Sequence, residues 1–298
     1  MKFNKPFLSI EQQVKLLSQR GLIVEHDTAH YLKHLNYYRL SGYWIPFQHD
    51  NKTHHFKPNV RFSDVLNLYL FDRELRLLLL DAIERIEISI RTQWAYFFAE
   101  VGGAHAHLVE GLNKNVQWHS QNIVQLQKEV ARSDELFIKH YQNTYTSPDA
   151  PPIWAACEVM SFGLLSKWLK SMNASEPCNR IARCYQLDYS VLVSFVEYLA
   201  YLRNLCAHHS RVWNRGMTKT MKVPRSKPSD LINNFHNDPL ASRRLYNPLV
   251  MIIHLLKIIC PGNHFRNRLI ALIKEHEIIV SAMGFPENWS NRSIWIED

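Results

Sequence analysis

Apolar residues along this chain recur at spacings of three and four rather than two, in segments several turns long, and that periodicity predicts helices almost throughout. Two short helices are predicted over about 9–20 and 26–36, the second opened by Asp27 as a capping residue. The longest is predicted over about 63–100, opened by Ser63-Asp64 and stopped by Gly102-Gly103, and another over about 119–143. Further helices are predicted over about 153–172, 177–186, 189–209, 238–260 and 263–283. Between them lie an aromatic stretch, NYYRLSGYWIPF (36–47), interrupted by Gly42 and closed by Pro46, and SPDAPP (147–152), whose three prolines make a rigid connection. No run alternates for long enough to be a strand, and no repeat or low-complexity tract is present. The expected fold class is all-α. It comprises a helical core over 61–230, a small helical and aromatic N-terminal extension over 1–60, and additional C-terminal helices over 231–298.

Composition narrows the class. Apolar residues make up 46% of the 298, ample for a packed core, and glycine is scarce at nine. The first residues lack the apolar stretch of about 7–15 residues that marks a secretory signal, and VMIIHLLKIIC (250–260) is too short to span about 30 Å of hydrocarbon. No membrane partner and a cytoplasmic location are therefore expected. The five cysteines, at 157, 178, 184, 206 and 260, are odd in number and contain no C-x-x-C pair, so buried reduced thiols are expected rather than disulfides or zinc. Cys178, Cys184, Cys206 and His208 match no usual zinc spacing, and neither metal nor cofactor is expected. The net charge of +8 favours polyanionic partners. Its position is informative: RVWNRGMTKTMKVPRSKPS (211–229) holds Arg211, Arg215, Lys219, Lys222, Arg225 and Lys227 and no acidic residue.

Directly before that loop, EYLAYLRNLCAHHSRVWNR (197–215) places Arg203 and Asn204 ahead of the pair His208 and His209. Cleaving RNA without a metal needs a base for the 2′-hydroxyl proton, an acid for the leaving 5′-oxygen, and a cation for the crowded phosphorane. Histidine serves either proton role near neutral pH, and arginine gives a permanent forked cation for phosphate. On an ideal helix Asn204 and His208 are i, i+4 neighbours, so the amide is placed to orient the imidazole. Arg203 and His208 are about 140° apart, so Arg203 must reach round or the helix must loosen near Ala207. One chain offers one such motif while the chemistry wants a base and an acid, which predicts a composite site across a two-fold dimer. Arg-x₄₋₆-His alone is a cheap pattern, since Arg20 and His26 also fit it.

Five blocks carry a family resemblance: KPFLSIEQQVKLLSQRGL (5–22), NYYRLSGYWIPF (36–47), LYLFDRELRLLLLDAIERIEISIR (68–91), WAACEVMSFGLLSKWL (154–169) and YLRNLCAHHSRVWNR (201–215). Together, over about residues 5–215, they resemble the Abi family of bacterial abortive-infection proteins, the AbiD/AbiF type. That family is similar to the HEPN superfamily. The resemblance implies a HEPN-like helical bundle, dimerisation, an RNA substrate, and an R-x₄₋₆-H catalytic motif whose positions map to Arg203, Asn204 and His208. It also implies phage defence or toxin-like growth arrest, held in check by a protein or RNA antitoxin.

Several residues keep more than one reading. His209 points about 100° from His208 on an ideal helix and is open to RNA binding, the second proton role, or structural support. Glu84, Glu87 and Arg91 on the long helix are ordinary salt-bridge candidates. The apolar residues around them, Ile88 included, leave little room for a solvated face, so burial against the motif helix, holding Arg203, is the alternative. Tyr37, Tyr38, Tyr43 and Trp44 are candidates for core packing or for stacking on unpaired bases, and Glu158 for capping or orienting a partner. Arg211, Arg215, Lys219 and Lys222 are the candidate phosphate contacts, with solubility or an antitoxin surface as the alternative. The expected function is a metal-independent endoribonuclease acting on single-stranded or structured RNA. Its rivals are a non-catalytic RNA-binding or sensing module and a protein-interaction scaffold.

Overall fold

The computed structural model describes residues 2, 6–50, 52–173 and 176–296; Lys5, which opens the first of the five blocks, lies outside them. Among the described residues there are thirteen α-helices and no strand, as the periodicity predicts. In chain order they are α1 (Ile10–Gln19), α2 (Thr28–Leu35), α3 (Tyr37–Trp44), α4 (Phe62–Gly102), α5 (Val116–Ala131), α6 (Leu136–Thr144) and α7 (Ile153–Val159). These are followed by α8 (Phe162–Ser171), α9 (Glu176–Arg183), α10 (Tyr189–Ala207), α11 (Ser229–Ile232), α12 (Tyr246–Ile259) and α13 (Phe265–Glu275). No helix among the described residues is long and apolar enough to cross a membrane. The chain forms two compact units, one of residues 1–76 and 269–279, the other of residues 77–268 and 280–298.

In the first unit, α1 is opened by a capping box in which the Ser9 hydroxyl accepts the Gln12 N–H and Gln12 accepts the Ser9 N–H. The next two starts differ from expectation. Asp27 precedes α2 in a helical backbone conformation, which aims its carboxylate away from the first turn, and it makes no capping bond. α4 starts one residue early, at Phe62. Asp64 therefore reaches back to the Arg61 N–H (2.8 Å), while the Ser63 N–H goes to the Glu25 carboxylate (2.7 Å). The aromatic stretch folds into α3 and a 3₁₀ turn over Ile45–Phe47, burying Tyr43 and Trp44. Beneath them Tyr43 donates to Asp72 (2.6 Å), which is also ion-paired with Arg76; both charged groups are buried, so each depends on the other for solvation.

In the second unit three predicted long helices are each broken or shortened. The 119–143 segment is two helices, α5 and α6, because Ser133 turns its hydroxyl onto the Glu135 N–H (3.3 Å) and offers the backbone an alternative to the helix. The 153–172 segment is also two. Ser161 caps α8 by accepting the Leu164 N–H (3.3 Å), and the buried Glu129 carboxylate of α5 takes both the Ser161 N–H (2.6 Å) and its hydroxyl (3.0 Å). The 238–260 segment contributes only α12, because Asp238 accepts the Leu240 N–H (2.8 Å) in an Asx turn that leads into a 3₁₀ turn at Ala241–Arg243. The 177–186 segment forms α9 and ends early, with Gln186 at φ +56°. Where a helix to 283 is predicted, α13 ends at Glu275 and a 3₁₀ turn follows over Val280–Met283.

The core of this unit is aromatic. Trp94 and Trp168, both fully buried, lie 5.7 Å apart between ring centroids, with His119 edge-on to Trp168 at 5.6 Å. α8 packs closely along α10, whose Leu192, Phe195, Val196, Leu199 and Leu202 are buried. The five cysteines form no disulfide: Cys157, Cys178 and Cys206 are buried, whereas Cys184 and Cys260 are only half-buried.

Candidate functional site

The buried stripe of α10 fixes which residues it leaves in water, and Arg203 and Asn204 lie on that open side. The helix ends at Ala207, two residues before the predicted limit. Its last turn is closed by two crossed bonds, Ser210 N–H to the Leu205 carbonyl (2.9 Å) and His209 N–H to the Cys206 carbonyl (3.0 Å), which is the Schellman arrangement. His208 is the capping residue, and its own N–H still reaches the Asn204 carbonyl at 3.0 Å. His209 occupies the left-handed position, at φ +55°, where glycine is the usual residue. The helix thus stops at Ala207, with His208 still held in register on its last turn.

Arg203, Asn204, His208 and His209 are all exposed. The Arg203 guanidinium donates to the Asn204 side-chain oxygen at 3.3 Å, so in the single chain that amide orients the arginine rather than the imidazole. The His208 ring makes no hydrogen bond to any described residue, leaving its nitrogens to solvent or to a ligand.

A second layer comes from α4. Glu87 and Arg91 form an i, i+4 ion pair, both largely buried, and the Arg91 guanidinium also donates to the carbonyls of Glu158 (3.0 Å) and Met160 (2.6 Å). Arg91 therefore pins the break between α7 and α8, and Glu158 enters through its backbone. Burial pushes the Glu87 carboxyl up, opposed by the positive charges of Arg91 and Arg203, which puts Arg203 within electrostatic reach of the pair. Glu84 is exposed and lies with Leu77 and Ile88 in a sector of about 40°. The expectation that this helix leaves little room for a solvated face is thus corrected: Leu77 and Ile88 are half-exposed, because the buried stripe runs instead through Ile83, Ile86 and Ile90.

The basic loop is docked along α10. The Tyr201 phenol oxygen accepts the Thr218 N–H (3.3 Å) and hydroxyl (3.1 Å), and Ser194 accepts the Lys222 N–H (2.9 Å). Ser194, Tyr201 and His208 follow one another at intervals of seven, so they share one face, each about 10 Å from the next. The loop therefore runs back from the histidines toward the start of α10, with Lys219 and Lys222 exposed along that face. Burial raises the Tyr201 phenol, but the Thr218 bonds and the Arg215 guanidinium beside it bring it net below the ordinary tyrosine value. Half-buried Arg215 donates to the Arg211 carbonyl (3.3 Å), and Arg244 to the Asn214 side chain (2.9 Å). Arg243 exchanges backbone and side-chain bonds with Met217. Tyr201, Arg243 and Arg244 were not evident from sequence. The seven-residue spacing from Tyr201 to His208 was the one available signal for the first, and the two arginines are brought in only by the fold.

Among the described residues no three or more His, Cys, Asp or Glu side chains are grouped to hold a metal ion. Arg20 and His26, the other fit to the spacing, are separated in use: Arg20 closes α1 and donates to the Tyr37 phenol (2.8 Å).

No curated protein and no solved structure matches this chain. A family model described as Abi-like protein matches residues 30–214, more than half of the chain, from α2 through the motif and into the basic loop. The chain belongs to the Abi-like protein family, and that membership points to abortive-infection defence against phage.

Proposed function

We propose that this chain is a metal-independent endoribonuclease of a phage-defence or toxin-like system, built on a HEPN-like bundle and active in the cytoplasm as a homodimer. The observation that carries this reading is the end of α10, where exposed Arg203, Asn204 and His208 stand beside a loop of cations held to the same helix face. His208 serves as general base or acid. The 2′-hydroxyl loses its proton and attacks the adjacent phosphorus, the bond to the 5′-oxygen breaks, and that oxygen takes up a proton. Arg203, steadied by Asn204, faces the doubly charged phosphorane, and the products carry 2′,3′-cyclic phosphate and 5′-hydroxyl ends. Lys219 and Lys222 hold neighbouring phosphates along α10, with Arg211 and Arg215 behind them. Glu87 and Arg91 tune the field at Arg203. His209 shapes the chain end, and Glu84 lies on the open face of α4.

Dimerisation is supported by what one chain lacks. A single His208 supplies one proton carrier for two transfers, which a second copy of the motif across a two-fold axis would complete. A protein or RNA antitoxin fits a nuclease whose catalytic groups stand open to solvent.

The test is incubation of the pure chain with single-stranded RNA in EDTA beside His208→Ala. Cleavage with cyclic-phosphate ends, lowered about 10²–10⁴-fold by the substitution, is expected. An inert wild type, or cleavage that survives His208→Ala, sinks the mechanism. RNA affinity that persists without any cleavage would favour a binding or sensing module instead.

A further inference from the structure

We propose that the N-terminal unit carries a second RNA contact, separate from the α10 motif: a groove that takes a short run of unpaired nucleotides, with bases against Phe7 and Tyr38 and phosphates against Arg20 and Lys33. The groove has a volume of about 920 Å³ and is lined by α1, α2, α3 and the segment before α1, all within one compact unit. That is the size class of sites that engulf sizeable organic ligands.

Two features select the occupant. The first is a pair of aromatic rings left in water: Phe7 is 89% exposed and Tyr38 is 71% exposed. Tyr38 is held at the start of α3 by Asn36, whose side chain accepts its N–H at 2.8 Å and whose own backbone is strained to φ +62°. Flat faces on a fixed backbone are what unpaired bases stack on, whatever their sequence. The second is charge. The titratable side chains of acid–base character that line the groove, the tyrosines aside, are Arg20, Lys33 and His54, and no carboxylate lines it. Arg20 spends one arm on the Tyr37 phenol (2.8 Å), and the rest of its guanidinium fork has no partner among the described residues. An apolar peptide would have no use for a lining of one sign of charge. Asn36 also interrupts the apolar wall with an amide nitrogen able to bond a base edge, whereas Ser41 and Gln48 already donate to the Tyr38 (2.7 Å) and His54 (3.1 Å) carbonyls.

The measurement uses the full chain carrying His208→Ala, so that binding is read without cleavage and the result stands whether or not the α10 motif is a nuclease. Fluorescence anisotropy with labelled eight-nucleotide oligo(U) would compare this parent with Phe7→Ala/Tyr38→Ala, both exposed positions whose removal leaves the core intact. The double variant should bind at least about 30-fold more weakly, the combined loss expected for two base stacks. Circular dichroism and melting should match the parent. A 4-thiouridine oligonucleotide should crosslink within residues 6–54, with Tyr38 among the sites. Affinity within twofold of the parent, with crosslinks confined to residues 203–227, overturns the proposal. So does a double variant that leaves RNA binding intact while breaking a dimer or releasing a bound peptide.

Discussion

Replacing Tyr201 with phenylalanine removes one oxygen and leaves the ring packed on α10, yet that oxygen is where the basic loop is fastened. It accepts two bonds from Thr218, at 3.3 and 3.1 Å, and stands beside the Arg215 guanidinium. A neutral hydrogen bond contributes about 0.5–1.5 kcal/mol net, and both Thr218 bonds are long, so the pair is worth about 1–2 kcal/mol. Thr218 is exposed, so its freed donors turn to water and no further penalty is added. The loss falls on the loop alone, which should open about 5–30 times more often. Hydrogen exchange should show this as faster exchange over about residues 216–223, with residues 191–202 of α10 unchanged. RNA affinity should weaken by no more than that factor, while its salt dependence keeps its slope, because no cation has been removed. The Lys219→Ala/Lys222→Ala variant should do the reverse and flatten log K against log salt by about 1.4, twice the single-strand value of about 0.7 per phosphate. Equal loop protection in wild type and Tyr201→Phe would refute the docking argument. A changed salt slope in Tyr201→Phe would refute the claim that the loop cations, rather than the phenol, meet phosphate.

Two further outcomes follow from residues near strain or burial. His209→Gly relieves a side chain held at φ +55° and should stabilise the chain by up to about 1 kcal/mol, raising the melting temperature by a few degrees. It should keep most of the cleavage activity, whereas a loss as deep as that of His208→Ala would assign a proton-transfer role to His209. His107 is fully buried with neither ring nitrogen hydrogen-bonded, and burial, aided by His105 and His119, pushes its pKa down to about 4 from 6.5. The unfolded chain therefore takes up a proton that the folded chain refuses. Stability from this site is complete above about pH 6.5 and falls as pH drops toward 4, by about 2 kcal/mol at pH 5. Urea unfolding of His107→Leu should lose about that much of the difference between pH 7 and pH 5; an undiminished difference would place the acid sensitivity elsewhere.

The helical class, the long α4 and the candidate motif's place at a helix end were legible because each depends on local pattern: three-and-four spacing, Gly103 at φ +73° after α4, and Arg-Asn-x-x-x-His before a run of cations. The misreadings share a cause. The amphipathic pattern continues through Ser133 and Ser161, so periodicity alone sees one helix in each place. The first break depends on a hydroxyl competing for the backbone, and the second on Glu129 arriving from α5. The course of the basic loop was equally hidden. Which face of α10 it follows depends on Tyr201 and Ser194, and its far side on Arg243 and Arg244, more than twenty residues downstream. Glu87 and Arg91 were visible as an i, i+4 pair, but not their anchoring of the carbonyls at 158 and 160.

On the proposed mechanism, the end of α10 sets how Arg203 must meet His208. On a helix, position 208 projects about 140° from position 203, so the two groups face one phosphate only if the arginine reaches round or the helix loosens. The helix stops at Ala207, but the His208 N–H bond to Asn204 keeps that residue registered on the last turn, so the long Arg203 side chain is the group that has to reach round. The stop is made without glycine: His209 takes the left-handed position at a cost on the order of 1 kcal/mol, which a glycine there would avoid. An exposed imidazole at 208 with no hydrogen-bond partner among the described residues, beside an arginine steadied by an amide, is the local inconsistency expected at a functional site. On the proposed mechanism, with Arg203 and Asn204 already engaged with each other, the second proton carrier is to be sought in a second copy of the same helix end.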